Sequence, residues 1–208
     1  MELLSPAALQ THPLGSRLRG WRRDRDWTLE QAAQATGLAR STLSKIENGQ
    51  MSPTYDALLK LAHGFGMDIS QLFGSSTSDT GGHRGAGRRS ITRAGQGQPF
   101  RTPAYDHQFL CNDLSHKSMI PFRTVVTARH GDDAPAWSRH EGEEMFYVLQ
   151  GEVDLLTEFY EPERLRQGDC AYLDSLMGHR LLSVSPQDAV VLWVSTTHPR
   201  MTPNAFSA

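Results

Sequence analysis

The stretch SRHEGEEMFYVLQG, from Ser138 to Gly151, contains side chains with the types and spacing of a ligand-binding site. Side chains two or four residues apart on a β-strand point to the same face, so Ser138, His140 and Glu144 can enter one interior together. An imidazole and a carboxylate can hydrogen-bond an organic ligand, and they are also ordinary ligands of divalent transition metals. The pattern therefore predicts either a polar pocket or part of a metal site.

A second group of side chains, within residues 28–49, could read the edges of DNA bases. The stretch TLEQAAQATGLARSTLSKIENG reads as two short helices joined at Gly37, because Thr28 and Gln31 form a capping box and glycine tolerates a positive φ. Apolar side chains of the second helix face inward, which leaves a short, polar and cationic outer face. Such a helix fits the DNA major groove. The outward residues are Ala39, Arg40, Ser41, Ser44 and Lys45.

The helix cap, the Ala-Ala pair, the corner glycine and the closing Ile-Glu-Asn-Gly together closely resemble the repressor and Cro type of helix-turn-helix, the XRE family. This resemblance implies a five-helix DNA-binding head. Leu14, Leu18 and Trp21 predict its first helix. Ser52-Pro53-Thr54 is expected to supply a cap and an N-terminal proline for helix four, and Asp68 is expected to cap helix five.

Within the predicted recognition helix, Arg40 is expected to make the main base contact, bidentate to a guanine. Thr28 and Asn48 are expected to position the helix ends against phosphates. The full predicted DNA-binding set is Thr28, Ala39, Arg40, Ser41, Ser44, Lys45 and Asn48.

Two stretches of the carboxyl-terminal half, SRHEGEEMFYVLQG and GDCAYLDSLMGH, are similar to the two sequence motifs of the cupin superfamily. His140, Glu144 and Gly151 occupy the second histidine, the glutamate and the glycine of the first motif, and His179 occupies the histidine of the second. The resemblance implies a small antiparallel β-barrel in which His140, Glu144 and His179 meet. Two imidazoles and one carboxylate suit one divalent ion of zinc, iron, manganese or nickel.

The sequence departs from the cupin pattern at Ser138, which replaces the first histidine, and at Asp174 and Leu176, which replace a proline and a glycine. The remaining three ligands form either a metal triad or a polar pocket for an organic effector. His107 lacks ligand-type spacing and is assigned by default to a solvated or core position. Trp193 is assigned to barrel packing, with the lining of the pocket mouth as the alternative. The predicted effector-binding set is Ser138, His140, Glu144, Phe146, Tyr172 and His179.

The elements that must position these two groups fall in separate parts of the chain. The 208 residues are 38% hydrophobic and 21% charged with a net charge of −2, which excludes a polycation and leaves DNA binding to a local face. Lys and Arg number eight against seven Asp and Glu in residues 1–74, five against one in 75–101, and eight against fifteen in 102–208. This asymmetry predicts units with different tasks.

The predicted fold class is multidomain, α plus all-β. It combines a five-helix repressor-like helix-turn-helix head, a flexible linker and a small antiparallel cupin β-barrel. Glycine and serine dominate the linker, and short β-rich runs separated by turn residues follow it. The predicted parts are an arm (1–12), the DNA-binding head (13–74), a Gly/Ser/Arg linker (75–101), the effector-binding cupin domain (102–198) and a tail (199–208).

The sequence also favours a soluble cytoplasmic protein that does not contact membranes. Cys111 and Cys170 are far apart and lack metal-ligand spacing, which is typical of reduced thiols. No signal-peptide pattern is present at the amino terminus, and the longest apolar run, Ala189–Val194, is too short to cross a bilayer.

These features favour a transcription regulator, a repressor or an activator, over an enzyme. We expect a homodimer that binds an inverted-repeat operator in double-stranded DNA, with a cupin domain that senses a small metabolite and no catalytic residues. The alternative is a metal-dependent cupin oxygenase or isomerase with an accessory helical domain. The triad supports that alternative, whereas the missing first histidine and the lack of a further acid or base count against it. A third possibility is a DNA binder that needs no ligand.

Overall fold

A computed structural model describes residues 13–74, 88–131 and 134–196. The chain divides into two compact units, Met1–Gly74 and Ser75–Ala208. The predicted arm (1–12), the predicted tail (199–208) and the first part of the predicted linker (75–87) lie outside the described residues. Within the described ranges, no helix is long and apolar enough to cross a membrane.

The amino-terminal unit consists of helices, as expected, but its last helix differs from the prediction. Asp68 accepts a hydrogen bond from the backbone N–H of Ser70 and begins a 3₁₀ helix, Ile69–Phe73, that Gly74 ends at a φ of 78°. The expected fifth α-helix is therefore a short 3₁₀ turn, because only five residues separate its cap from the left-handed glycine. The α-helices are α1 (Pro13–Asp24), α2 (Leu29–Thr36), α3 (Arg40–Glu47) and α4 (Tyr55–Gly64).

Two glycines allow the helices of this unit to approach closely. A Cβ atom at Gly15 would lie 2.5 Å from the carbonyl oxygen of Ile46, so α1 passes directly over the end of α3. A Cβ atom at Gly64 would lie 2.6 Å from the carbonyl oxygen of Ala35, where α4 meets α2. These contacts leave no room for a side chain, and they set how closely α1 packs on α3 and α4 packs on α2. The core beneath them is formed by Leu18, Leu43, Ile46, Leu58, Leu61 and Leu72.

The carboxyl-terminal unit is antiparallel β-structure, as predicted, and its described strands form two sheets. The larger sheet has the order β1-β2-β3-β9-β4-β7, and the smaller sheet has the order β6-β5-β8. The strands are β1 (Gln98–Arg101), β2 (Tyr105–Phe109), β3 (Met119–Val126), β4 (Glu143–Gln150), β5 (Glu152–Thr157), β6 (Glu163–Arg166), β7 (Cys170–Asp174), β8 (His179–Ser183) and β9 (Ala189–Thr196).

Strand β1 falls inside the range predicted to be linker, residues 75–101. It pairs with β2, where Phe100 lies opposite His107, and the Phe100 side chain is buried. Composition did not predict this strand, because glycine and glutamine surround its single large apolar side chain, Phe100. The strand-bearing unit therefore begins by residue 98.

Strand alternation determines which side chains of the large sheet share the inner face. On β4 and its neighbour β9, Glu144 lies opposite Ser195 and Phe146 lies opposite Trp193. All four side chains are buried. The register therefore sets the Glu144 carboxylate at the end of a row of aromatic rings.

Candidate DNA-reading helix and candidate metal centre

The corner between α2 and α3 has the predicted geometry. The hydroxyl oxygen of Thr28 accepts a hydrogen bond from the backbone N–H of Gln31 at 3.2 Å, and the Gln31 side chain accepts one from the backbone N–H of Thr28 at 2.8 Å. Gly37 then adopts a φ of 67°, a left-handed conformation that L side chains rarely adopt. The hydrogen bonds of this cap join residues only three positions apart in the sequence.

Helix α3 has one buried face and one exposed face, as predicted. Leu43 and Ile46 are buried against the other helices. Ser44 is half-buried. The outward side is polar and cationic, and its exposed residues are Ala39, Arg40, Ser41, Lys45 and Asn48. The arrangement can present a guanidinium, a hydroxyl and an ammonium group to an external surface.

An ion pair that joins α1 to the end of α3 was missed by sequence reasoning. The Arg22 guanidinium donates two hydrogen bonds to the Glu47 carboxylate, at 2.7 and 2.9 Å, and the side chain of Glu47 is only 3% exposed. The hydrogen bond and the negative charge of Glu47 raise the pKa of Arg22. Glu47 follows the buried Leu43 by four residues, and this helical spacing was the signal that it faces inward.

Thr28 and Asn48 already bond within the helical unit. The hydroxyl oxygen of Thr28 is the α2 cap, and the side-chain amide of Asn48 donates to the carbonyl oxygen of Ser44 at 2.9 Å. The amide oxygen of Asn48 accepts a hydrogen bond from Arg19. These contacts position both helix ends, and phosphate contacts by the two residues stay a prediction.

The predicted triad converges in the interior of the β unit. Nε2 of His140 lies 2.8 Å from one carboxylate oxygen of Glu144, and Nε2 of His179 lies 2.9 Å from the other. All three residues are buried, and their candidate ligand atoms lie within 4.8 Å of one another. Three elements supply them: the segment before β4, β4 itself and the first position of β8.

Backbone carbonyl groups orient both imidazoles toward the carboxylate. Nδ1 of His140 lies 3.0 Å from the carbonyl oxygen of Glu141, and Nδ1 of His179 lies 2.8 Å from that of Met177. A carbonyl oxygen can only accept, so each Nδ1 carries a hydrogen and each Nε2 faces a carboxylate oxygen of Glu144. This is the outer-shell arrangement typical of metal-bound histidine, which sequence reasoning missed.

The site needs a positive charge between these acceptor atoms. Burial alone would raise the pKa of Glu144, but hydrogen bonds and positive charge from His140 and His179 lower it to about 2. That charge comes either from protons on the two imidazoles or from a cation bound among the three residues. The two-histidine, one-carboxylate set fits a divalent transition metal.

Ser138 joins this site through its backbone. Its N–H donates to the carbonyl oxygen of His179 at 3.0 Å, and the N–H of His179 donates back to Ser138 at 3.1 Å. The two residues form an isolated β-bridge. The Ser138 position therefore helps to hold His179 in place, whatever its side chain does.

The structure places Phe146 with the triad and Tyr172 away from it. The Phe146 ring is buried, with its centroid 6.3 Å from that of His179. Tyr172 lies opposite Met145 in the β4–β7 register, hence on the other face from Glu144, and is 65% exposed. It lines a surface groove of about 930 Å³ that the triad does not line. We give weight to the triad rather than to the larger groove, because the triad side chains converge at bonding distance.

Comparisons with known proteins match the helical unit and the β unit to two different domain families. Residues 13–72 match the family model of a helix-turn-helix domain, and residues 124–195 match that of a cupin domain. The helix-turn-helix match begins where α1 begins. The cupin match includes all three residues of the triad.

Two relatives with similar sequences are named as transcriptional regulators. The HTH-type transcriptional regulator SutR of Escherichia coli is 34% identical over 67 residues, which are 32% of this chain and 38% of that protein. The HTH-type transcriptional regulator PuuR of Escherichia coli is 26% identical over 145 residues, covering 68% of this chain and 72% of PuuR. The chain thus spans well under half of SutR and about three quarters of PuuR.

A crystal structure of an HTH_3 family transcriptional regulator from Vibrio cholerae has the same fold. It aligns with a TM-score of 0.58 and 21% identity, over 91% of this chain and 97% of that one. Together with the capped α2–α3 corner and the interior His-Glu-His group, these matches confirm the predicted domain composition. The chain thus combines an XRE-type helix-turn-helix domain with a cupin domain.

Proposed function

We propose that the protein is a sequence-specific DNA-binding transcription regulator whose cupin domain senses a small metabolite and modulates operator binding. The observation that carries the proposal is the polar and cationic face of α3, which exposes Arg40, Ser41 and Lys45 at a corner of helix-turn-helix geometry. The names of the relatives SutR and PuuR support it. The protein acts as a homodimer on an inverted repeat with half-sites about one helical turn, roughly 34–36 Å, apart.

Base reading by Arg40 is tested by operator selection from a randomised DNA library. Arg40→Ala should weaken the free energy of operator binding by about 1–3 kcal/mol and relax specificity at one base pair per half-site. Lys60→Ala is the matched control, because Lys60 pairs with Asp56 on the surface of α4. A uniform loss of affinity over all sequences would make Arg40 a phosphate contact and contradict the assignment.

In the cupin domain, His140, Glu144 and His179 hold one divalent transition ion that helps to bind the effector. The ion would supply the positive charge that the carboxylate and the two Nε2 lone pairs require. Metal analysis of purified protein should find about one equivalent in the wild type and none in Glu144→Ala. Glu143→Ala is the control, since Glu143 is the next residue on the strand and lies outside the triad. Full metal content in Glu144→Ala would refute the triad.

His140→Ala and His179→Ala should abolish the effector response while operator binding by the unliganded protein persists. Both side chains are buried, so each variant is checked by thermal melting monitored by circular dichroism. A variant that unfolds would show a structural role in place of a sensing role.

An enzyme remains the second candidate because the same triad could leave open coordination positions on the metal. The regulator proposal predicts that a bound effector is recovered unchanged from the metal-loaded protein, with no consumption of oxygen. Turnover of the effector by the wild type and its loss in Glu144→Ala would favour the oxygenase or isomerase alternative.

Effector and operator binding are coupled by about 1–3 kcal/mol in such a regulator, and the coupling is reciprocal. In this proposal the effector acts by selecting one arrangement of the dimer over another, through its different affinities for the two arrangements. The cupin units supply the dimer interface in this proposal. Calorimetric titration of the effector with and without operator DNA should give different affinities. Equal affinities would show that the cupin domain does not regulate the DNA-binding head.

A further inference from the structure

Two buried polar atoms in the layer of side chains around the triad lack hydrogen-bond partners among the described residues, which indicates that a bound small molecule supplies those partners. Nε2 of His107 and Nε1 of Trp193 have no hydrogen-bond partner among the described residues. The two residues are only 3% and 4% exposed. Buried polar groups in folded proteins nearly always have partners, so each of these atoms needs an explanation.

Both residues belong to the layer of side chains that contains Glu144. Trp193 lies opposite Phe146 on the neighbouring strand, and the residue two positions further on, Ser195, lies opposite Glu144. The centroid of the Trp193 ring is 4.5 Å from that of Phe146 and 6.0 Å from that of His107. The two unpartnered nitrogens therefore belong to rings on the inner face of the sheet, where Phe146 contacts both Trp193 and His179 of the triad.

The two atoms can act as neutral hydrogen-bond donors. Burial lowers the pKa of His107 to about 3, although the charge of Glu144 opposes this shift, so the imidazole is neutral near pH 7. Its Nδ1 lies 2.8 Å from the hydroxyl oxygen of Thr124. When that hydroxyl donates to Nδ1, the hydrogen of His107 sits on Nε2. The indole Nε1 of Trp193 is a donor in every state.

We propose that His107 and Trp193 contact the effector, donating hydrogen bonds to the oxygens of a small monocarboxylate that also reaches the metal ion. The inference rests on the proposed metal site. A divalent ion, the Glu144 carboxylate and two neutral imidazoles leave one net positive charge, which a monoanion neutralises in a buried setting. A cationic ligand would meet both that charge and two donors, so it does not fit.

The test uses the full-length protein loaded with Co(II), whose visible absorption reports a ligand that enters the coordination sphere. Calorimetry compares acetate, propionate and benzoate with acetamide, propionamide and benzamide, which have nearly the same shapes without the charge. We expect the carboxylates to bind at least about tenfold more tightly than the amides and to change the Co(II) spectrum.

Substitutions separate the two contacts from general packing. Trp193→Phe and His107→Phe keep an aromatic ring and should each weaken carboxylate binding by roughly 10- to 100-fold without loss of Co(II). His107→Gln, which returns an N–H group, should recover most of the affinity. Trp137→Phe is the control, because Trp137 is partly exposed and stacks on Arg180.

The possible outcomes distinguish a failure of this inference from a failure of the proposed metal site. If Co(II) binds but carboxylates and amides bind alike or not at all, the inference is wrong and the metal site stands. Unchanged carboxylate affinity in Trp193→Phe and His107→Phe would likewise overturn it, because neither nitrogen would then contact the carboxylate. If Co(II) itself does not bind, the proposed metal site fails and the inference fails with it.

Discussion

Replacing Glu47 by alanine should destabilise the helical unit by about 3 kcal/mol. The carboxylate accepts two charge-assisted hydrogen bonds from Arg22, at 2.7 and 2.9 Å, and a second arginine, Arg19, lies 3.6 Å away. Removing one partner of a buried ion pair costs about 3–5 kcal/mol, because the other charge remains partly buried. The Arg22 side chain is 14% exposed, so water hydrates part of its charge in the Glu47→Ala variant. We therefore expect a loss of stability at the low end of this range.

Urea unfolding of full-length protein, followed by far-ultraviolet circular dichroism at the helix minimum, measures this loss. The described α-helices all lie in the amino-terminal unit, so the signal reports that unit. Asp56→Ala is the control: it breaks an exposed pair with Lys60 at i,i+4 and should cost at most about 1 kcal/mol.

The result also bears on α3, the candidate DNA-reading helix, since Glu47 is its last residue. A loss below about 1 kcal/mol in Glu47→Ala would refute the reasoning, because the ion pair would then contribute no more than an exposed one. The same outcome would remove the argument that α1 holds the carboxyl-terminal end of α3 in place.

Two further predictions follow from the buried histidine and from the close helix contacts. The pKa of His107 in the fold, about 3, is below its unfolded value, so its contribution to stability is complete above pH 6.5 and is lost as pH falls toward 3. Wild type should therefore lose about 2 kcal/mol more than His107→Phe between pH 7 and pH 5, as measured by urea unfolding; equal losses would contradict the assigned environment. Gly15→Ala and Gly64→Ala should each destabilise by about 2 kcal/mol or more, because the new Cβ atoms would meet backbone at 2.5 and 2.6 Å. Gly20→Ala, with nothing within 4 Å, should instead stabilise α1 by about 0.5–1 kcal/mol in thermal melts, and a uniform effect of the three substitutions would contradict this account.

Local signals in the sequence predict the corner of the DNA-reading motif because its hydrogen bonds span few residues. The cap between Thr28 and Gln31 and the turn at Gly37 need no other part of the chain. The pair between Arg22 and Glu47 depends on how α1 packs on α3, and no local pattern encodes that packing angle. Helical spacing could show only that Glu47 faces inward.

The triad was predictable because the cupin motifs supply the three residues, whereas its surroundings were not. Whether a side chain on β7 faces inward depends on the register, which is why Tyr172 was grouped with the triad and lies on the other face. The carbonyl groups that orient His140 and His179 cannot be recognised from the sequence, because every residue has a backbone carbonyl. The same holds for His107 and Trp193, whose isolated positions resemble ordinary core residues until the strands are assembled.

The position of β9 sets the order in which the β unit can form during synthesis. This strand, the last in the described chain, lies between β3 and β4, which are far earlier in the sequence. The helical unit can form all of its contacts once residue 74 has been synthesised. The large sheet is completed only when residues 189–196 have left the ribosome, and such long-range strand pairing is slow. A nascent chain that ends at residue 188 already holds His140, Glu144 and His179, yet it lacks the strand that carries Trp193 and Ser195 behind the carboxylate. The layer of side chains around Glu144 is therefore complete only after β9 has paired with β4.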